Sequence, residues 1–257
     1  MLNPNKIFIG VVFLLVFFLS FPVVAEAQQE VNLDPGQVQM TLDLKGQNFT
    51  RAVKVFLLIT ALSLAPSFII MMTSFTRIMI VLSFLRQALR TQQIPSTQII
   101  AGLSLFLTFF IMQPTWQNIY DNAVVPYSQE EMTQTEAFAE AGTHMKSFML
   151  EQMRKESLLL FMDAAGQEPV ASQEEMPMRI VIPAFIVSEL QTAFQMGFLL
   201  YLPFLVIDAV VATFLMSMGM IMLPPMMISL PFKILLFVMV DGWSLVMRAL
   251  LSSFGGG

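Results

Sequence analysis

Four charged side chains stand in strongly apolar stretches of the sequence, and they are the first candidates for chemistry. They are Glu189, Asp208, Lys233 and Asp241. Burying a charge at membrane depth is costly, so such a residue marks either a pathway or a charge pair. An ion-conducting role and a structural charge held between packed helices therefore both stay open for this group.

Asp208 and Asp241 are also the kind of pair that an intramembrane aspartyl protease needs. The glycine pattern of that chemistry is missing, because Asp241-Gly242-Trp243 is only a fragment of it. The single histidine, His144, lies in a polar stretch and is more typical of a solvated residue than of a catalytic base. With no cysteine and no phosphate-binding glycine loop, the sequence predicts no catalytic residue, cofactor or metal ligand among these groups.

The positions of Asp208 and Lys233 predict that the two do not pair with each other within one hairpin. They lie 16 and 8 residues from the Pro224-Pro225 break. Helical rise then places them roughly 24 Å and 12 Å from the turn. A partner on another subunit is therefore expected.

A dense methionine stretch, MSMGMIMLPPMM, covers residues 216–227. Its first methionines stand two apart, which forms no stripe on a helix but puts them on one side of an extended chain. Gly219 permits unusual backbone angles, and Pro224-Pro225 prevents a helix from continuing. The stretch is therefore predicted to be a short loop that presents Met216, Met218, Met220 and Met222.

Three roles stay open for this loop. It is a flexible apolar filler at a helix turn, a Cu(I) site built from thioether sulfurs, or a deformable apolar constriction in a channel. No cysteine or histidine supports the copper site. Methionine suits a constriction because its unbranched side chain adapts to different surfaces. Non-helical backbone at membrane depth is tolerated only where protein or a water-filled cavity covers it, which favours the third role.

The charged residues and the methionine loop must be positioned by the secondary-structure elements around them. The composition of the chain indicates that these elements are those of a membrane protein. Apolar residues make up 56% of the 257-residue chain and charged residues 12%, with a mean hydropathy of +0.72. Soluble chains carry about 25% charged residues, so lipid or protein must cover much of this surface. A net charge of −5 offers no footprint for nucleic acid. The expected fold is all-α, with membrane-type helical hairpins and a small helical exterior region.

The N-terminus has the parts of a secretory signal peptide. Lys6 precedes an apolar run over residues 7–19, and Ala25-Glu26-Ala27 follows. Cleavage after residue 27 would leave residues 28–50 as an exposed segment outside the membrane. An uncleaved first membrane helix is the alternative.

Four further apolar segments cover residues 52–72, 99–112, 180–223 and 226–251. A bilayer crossing takes about 20 residues, so the second segment is short. The third is long enough for two helices, with a break or kink near Pro203. The predicted organisation is a first hairpin with a basic turn (51–120), an acidic helical periplasmic region (121–179) and C-terminal helices with the methionine loop (180–257).

Charges in the connecting segments predict the orientation. Arg77, Arg86 and Arg90 lie between the first two segments, with no acidic residue from 73 to 98, which is typical of a cytoplasmic turn. Residues 121–179 hold 11 acidic against 4 basic residues and are placed outside, with a helical pattern over 134–162. The basic turn also carries an apolar stripe at helical spacing, which predicts a helix packed on a partner: Phe75, Ile78, Leu82, Leu85 and Leu89.

A series of short motifs runs through residues 50–250. They are Met72-Thr73-Ser74-Phe75-Thr76-Arg77, Leu85-Arg86-Gln87-Ala88-Leu89, Pro183-Ala184-Phe185, Ser188-Glu189-Leu190, Gly197-Phe198, Leu223-Pro224-Pro225, Leu230-Pro231-Phe232-Lys233 and Val240-Asp241-Gly242-Trp243. In type and order they resemble the FliP family of flagellar type III export-gate proteins, whose virulence-secretion counterparts form the SctR family.

The resemblance implies a five-subunit helical assembly with FliQ-like and FliR-like subunits around a channel for unfolded flagellar proteins. It implies no hydrolysis by the chain itself. The location it implies is the bacterial inner membrane at the flagellar basal body, with hairpins partly raised toward the periplasm. A structural scaffold without a gating role is the alternative.

In the family, a methionine loop forms a gasket that closes around the channel. The matching positions here are Met220, Ile221 and Met222, preceded by Met218 and Gly219. The family often has three methionines in a row at this place, so Ile221 is a departure. It keeps the position apolar but makes it stiffer, and its share in the seal is an open question.

Overall fold

The computed structural model describes residues 46–91, 95–166, 175–220 and 223–255 of the chain. These ranges fold into helices and turns without a strand, so the predicted all-α class is confirmed. The predicted signal peptide lies outside the described residues. The chain divides into two compact units, residues 1–58 and residues 59–257.

Helix α1 spans Gly46–Met71, and it is the one described element that contains residues of the first unit. It begins within the segment that the sequence predicts to be exposed outside the membrane. Several large apolar side chains of its later turns are exposed: Ile59, Leu64, Phe68 and Ile69. Such a surface needs lipid or protein to cover it.

The remaining described helices belong to the second unit. Before the acidic region they are α2 (Phe75–Leu89), α3 (Thr97–Ile111), α4 (Gln113–Ile119), a π-helical turn (Tyr120–Val124) and α5 (Val125–Ser128). The acidic region forms α6 (Gln134–Gln152) and α7 (Lys155–Ala164). The last three are α8 (Met178–Ser217), α9 (Pro225–Met239) and α10 (Gly242–Gly255). The 40-residue α8 is the longest, and α2, α6, α7 and α9 pack against it.

Helix α2 is separate from α1 and buries its apolar stripe within the chain. A turn at residues 72–74 interrupts the helix, so α2 does not continue α1. Ile78, Leu82 and Leu85 pack with Ala193 and Phe204 of α8 in one apolar core. The expectation that this stripe packs on a partner is therefore wrong. The long α8 covers it, because α8 itself presents apolar residues on nearly all sides.

The turn between α2 and α3 follows the signals in the sequence. Arg90 takes a left-handed conformation with a φ of 53° after α2. Ser96 then caps α3, and its hydroxyl accepts a hydrogen bond from the Ile99 N–H at 3.4 Å. The Pro95-Ser96 pair indicates this start in the sequence, because proline disfavours helix in the residue before it and serine is a preferred N-cap.

Helix α8 is continuous, so the expectation of two helices with a break near Pro203 is wrong, whereas the alternative of a kink there stays a prediction. Pro183 and Pro203 both lie inside it. A proline removes one backbone N–H and crowds the carbonyl four residues earlier, but this loss is local. Ending the helix in apolar surroundings would leave several more backbone groups without partners. Continuing through the proline is the less costly outcome.

The last apolar segment of the sequence folds as two helices instead of one. α9 and α10 are bent by 64° relative to each other. Asp241, between them, has a left-handed backbone with a φ of 50°. Gly242 follows where an added Cβ would lie 2.2 Å from the Phe237 ring, so the close turn depends on the missing side chain.

Among the described residues, α8 is the one helix that is long and apolar enough to cross a membrane alone. Two bent pairs meet the same criterion together, so up to three crossings result if each pair is one span. They are Thr97–Ile111 with Gln113–Ser128, bent by 57°, and Pro225–Met239 with Gly242–Gly255. The short second segment of the sequence thus gains length from the helices that follow its bend.

The acidic region forms helices with their own caps and apolar contacts. Thr133 and Glu136 form a reciprocal capping box at the start of α6, with the Thr133 N–H donating to the Glu136 carboxylate at 2.8 Å. This backbone bond, together with the Thr133 hydroxyl, lowers the pKa of the Glu136 carboxyl below its usual value. Phe148, Met149 and Met153 pack against the first turns of α8, as their helical spacing indicates.

A close approach between α2 and α8 makes Gly197 a sensitive position. A Cβ added there would lie 2.6 Å from the Phe84 ring. We expect Gly197→Ala to lower the thermal unfolding midpoint of the detergent-purified protein, because overpacking costs about 1–3 kcal/mol. Gly102→Ala on α3 is the matched control, since nothing lies within 4 Å of its added Cβ. A midpoint equal to that of the control would contradict the close packing at Gly197.

Candidate functional site: charge pairs and the methionine loop

The deepest charge pair joins α2 to α8. Arg77 Nε donates to Glu189 Oε2 at 2.9 Å, and Arg77 Nη2 donates to Glu189 Oε1. The side chains are 2% and 0% exposed. Two parallel bonds between a guanidinium and a carboxylate fix the relative orientation of their helices as well as neutralising both charges.

Arg77 also holds the C-terminal helix. Its Nη1 donates to the Ser253 carbonyl at 2.9 Å and to the Ser253 hydroxyl at 3.1 Å. The guanidinium lies 3.8 Å from the centre of the Phe254 ring, a favourable cation–π distance. The Gln152 amide donates to the Phe254 carbonyl at 3.2 Å. One buried arginine therefore ties α2, α8 and α10 together, and α6 adds a further contact.

Asp208 and Lys233 form a direct ion pair, so the expectation that they do not pair within one hairpin is wrong. Lys233 Nζ donates to Asp208 Oδ2 at 2.7 Å. The Ser229 hydroxyl donates to Asp208 Oδ1 at 2.6 Å. Lys233 Nζ also donates to the Ala88 carbonyl at 3.2 Å. The pair thus connects α8 and α9 to the end of α2.

The physical reason for the error is that loop residues add no helical rise. α8 ends at Ser217, nine residues after Asp208, and α9 begins at Pro225, eight residues before Lys233. The two side chains therefore lie about 14 Å and about 12 Å from the ends of their helices. At nearly equal depth they face each other across the hairpin.

Arg90 adds a second cation to this pair. Its Nε lies 3.4 Å from Asp208 Oδ2, and its left-handed backbone places it just beyond the end of α2. In the sequence, Arg90 indicates only the orientation of its turn, and Ser229 carries no signal for a charge contact. Neither residue has a local signal for this role, because both contacts join separate helices.

The four charges in apolar sequence do not share one environment. Glu189 and Lys233 are buried, and Asp208 is partly buried at 17% exposure. Asp241 is exposed at the bend between α9 and α10, so within the single chain it is not a buried charge. The Asp208 carboxylate is held by Lys233 and Ser229, which is the arrangement of a structural ion pair and not of a protease dyad.

The methionine stretch leaves the helix inside its predicted range, but the prediction that Met216 belongs to the loop is wrong. α8 ends at Ser217, so Met216 is still helical, whereas Met218, Gly219 and Met220 are not. Gly219 has a φ of 74°, a conformation that favours glycine.

The proline pair sets the other side of this loop. Pro224 caps α9 and Pro225 begins it, as expected for residues that lack an N–H to donate. The Met218 and Met220 side chains are 58% and 43% exposed. Ile221 and Met222 lie outside the described residues. The described part of the loop therefore presents methionines to its surroundings.

His144 has the surroundings of a surface residue. Its Nε2 lies 3.4 Å from Glu140 Oε1 and 3.3 Å from the Asn122 side-chain nitrogen. Within the described ranges, no group of three or more histidine and acidic residues could hold a metal ion. What the described charges do is hold helices together.

This fold and these charges define a helical membrane protein whose deep charges are paired between helices. The FliP family model matches residues 58–250, and the chain belongs to the FliP family. The flagellar biosynthetic protein FliP of Bacillus subtilis (strain 168) is 51% identical over 208 residues, 81% of this chain and 94% of that protein. The Aquifex aeolicus (strain VF5) protein of the same name is 51% identical over 209 residues, 80% of this chain and 87% of that protein.

A third relative, from Pectobacterium carotovorum subsp. carotovorum, carries the same name. It is 48% identical over 220 residues, 86% of this chain and 85% of that protein. The resemblance drawn from the sequence motifs is therefore confirmed. The assignment of the chain to flagellum biogenesis and protein export, as a component with a membrane-type helix, is confirmed together with this resemblance.

Proposed function

We propose that the chain is a channel-forming subunit of the flagellar type III export gate, in which the methionine loop seals the pore. Copies of the chain, five by the family resemblance, would surround the channel together with FliQ-like and FliR-like subunits. Unfolded flagellar proteins would pass through it across the bacterial inner membrane at the basal body. The assembly would be partly raised toward the periplasm.

The observation that carries this proposal is the exposed methionine loop between two apolar helices. Met218 and Met220 have flexible apolar side chains, and both are exposed in the single chain. Backbone that leaves a helix between membrane-type segments must be covered by protein or line a cavity. Loops from several copies that meet around one axis would cover each other and leave a deformable closure.

The helices on both sides of the loop support such a closure. The Asp208–Lys233 pair joins α8 to α9 about 12–14 Å below the loop, so the loop projects from a fixed hairpin. α8 also exposes a large apolar surface, which includes Phe194, Phe198, Val206, Val210 and Phe214. A surface of this size marks contact with lipid or with other subunits.

Replacing Met220 and Met222 with alanine together is expected to raise ion leakage across the inner membrane while the export complex still assembles. Truncating both side chains opens the constriction without removing any charge or cap. Leakage is measured as dissipation of the membrane potential in cells that produce the complex, and assembly as co-purification of its subunits. Met239→Ala is the matched control, because that methionine is 75% exposed at the far end of α9.

Unchanged conductance in an assembled Met220→Ala/Met222→Ala complex would contradict the seal and favour the scaffold role. Ile221→Met tests the position at which the sequence departs from three methionines in a row. If position 221 shares in the seal, this variant keeps the membrane closed, whereas Ile221→Gly leaks. If added Cu(I) protects the loop methionines from oxidation, that result would instead favour a metal site.

A further inference from the structure

We infer that a basic pocket at the ends of α2 and α3 binds the phosphate headgroup of an anionic phospholipid. The pocket has a volume of about 1060 Å³, which exceeds the space that a phosphate headgroup needs. Its polar lining includes Ser83, Arg86, Gln87, Arg90, Ser96 and Thr97. This inference needs only a membrane location and is independent of the gating role proposed above.

The charge of the pocket favours an anion. Arg86 and Arg90 line it, and none of its described lining residues is acidic. Of these two arginines, Arg90 contacts a carboxylate, because its Nε lies 3.4 Å from Asp208 Oδ2. That carboxylate is already bound by Lys233 at 2.7 Å. Arg90 and Lys233 thus share one carboxylate, and within the described ranges no ion pair joins Arg86 to an acidic residue, so two of these three positive charges are left to be balanced.

The start of α3 also favours an anion in the pocket. Ser96 caps a 15-residue helix that Thr97 and Gln98 begin, and all three residues line the pocket. The N–H groups of a helix start and its dipole both favour an anion. Arg86 Nη1 donates to Thr97 Oγ1 at 2.9 Å. This bond holds one of the two arginines against the helix start.

The surroundings favour a lipid over a free anion. Tyr201 of α8 and Met226 of α9 also line the pocket, so apolar and polar groups meet there. Ile99 and Phe106 are exposed on α3 and offer an apolar surface for acyl chains beyond the headgroup. Basic residues at the ends of membrane helices attract anionic lipid, each by an amount that corresponds to about a five-fold change in affinity.

The test uses the full chain purified in neutral detergent. Native mass spectrometry counts retained lipid, and the thermal midpoint is read with phosphatidylglycerol, with phosphatidylcholine and with inorganic phosphate alone. We expect phosphatidylglycerol to be retained in preference and to raise the midpoint. Gln87→Glu places a carboxylate in the pocket without removing any described hydrogen bond, and it should weaken retention about five-fold. Gln191→Glu, exposed on α8 outside the pocket, is the matched control.

Arg86→Gln provides a second variant that removes a cation instead of adding an acid, and it should weaken retention in the same way. Retention of phosphatidylglycerol by either pocket variant at the level of the Gln191→Glu control would overturn the site. Equal retention of the two lipids by the unchanged chain would also overturn it. An equal rise in midpoint with inorganic phosphate alone would show that a free anion, and not a lipid, is the ligand.

Discussion

Glu189→Gln is expected to remove most of the folded protein from the membrane and to lower the thermal midpoint of what remains. The neutral amide cannot balance the Arg77 guanidinium, which is 2% exposed between α2 and α8. Breaking one side of a buried ion pair costs about 3–5 kcal/mol. The free energy of unfolding of a folded domain is about 5–15 kcal/mol in total, so this single change removes a large part of it. Membrane-fraction yield and detergent unfolding curves measure both effects.

The double variant Arg77→Met/Glu189→Met distinguishes the charge effect from a loss of packing. It leaves no uncompensated charge and should regain part of the lost stability. It should not regain all of it, because Arg77 also bonds the Ser253 carbonyl and covers the Phe254 ring. Glu175→Gln, an exposed carboxylate before α8, is the control and should match the unchanged chain. Strictly additive losses in the double variant would show that the two charges are not coupled.

Asp208→Asn is expected to destabilise the protein more than Lys233→Met does, although the two residues form one pair. Lys233 is 1% exposed, and without the carboxylate its ammonium keeps only the Ala88 carbonyl among the contacts described above. Asp208 is 17% exposed and keeps the Ser229 hydroxyl and Arg90 when the lysine is replaced. The costly state is an unpaired charge out of contact with water, and only Asp208→Asn creates it.

Thermal midpoints of the two single variants and of the double variant test this order. Asp208→Asn should lie lowest, with the double variant above it because the stranded ammonium is gone. Asp163→Asn removes an exposed carboxylate and controls for the change in net charge. The reverse order would mean that Asp208 is the charge that the fold cannot leave unpaired.

Features that act within one helical turn could be predicted from the sequence. Ser96 after Pro95 gave the start of α3, and Gly219 with Pro225 gave the two sides of the methionine loop. Each depends on a property of the residue itself, namely a side-chain acceptor, a free left-handed conformation or a missing N–H. Membership of the FliP family could be predicted for the same reason, because the motifs of the family are short and contiguous.

Features in which a local backbone preference competes with the hydrogen bonding and packing of the surrounding chain were predicted less well. Pro203 alone indicates a break, yet α8 continues through it. Asp241 stands in apolar sequence, yet it lies exposed at a bend. The sequence shows the local preference in both cases. It does not show how many neighbouring backbone groups would lose partners, or where the chain turns.

By itself, the sequence determined that the chain is a helical membrane protein of the FliP family, which residues are charged in apolar surroundings, and where the methionine loop lies. The tertiary structure decided which charges meet. Arg77 and Glu189 are 112 residues apart, and Asp208 meets Lys233 only because α8 ends at Ser217 and α9 begins at Pro225. A pair between helices depends on where each helix ends and how the two pack, and neither quantity is a property of the residues that form the pair.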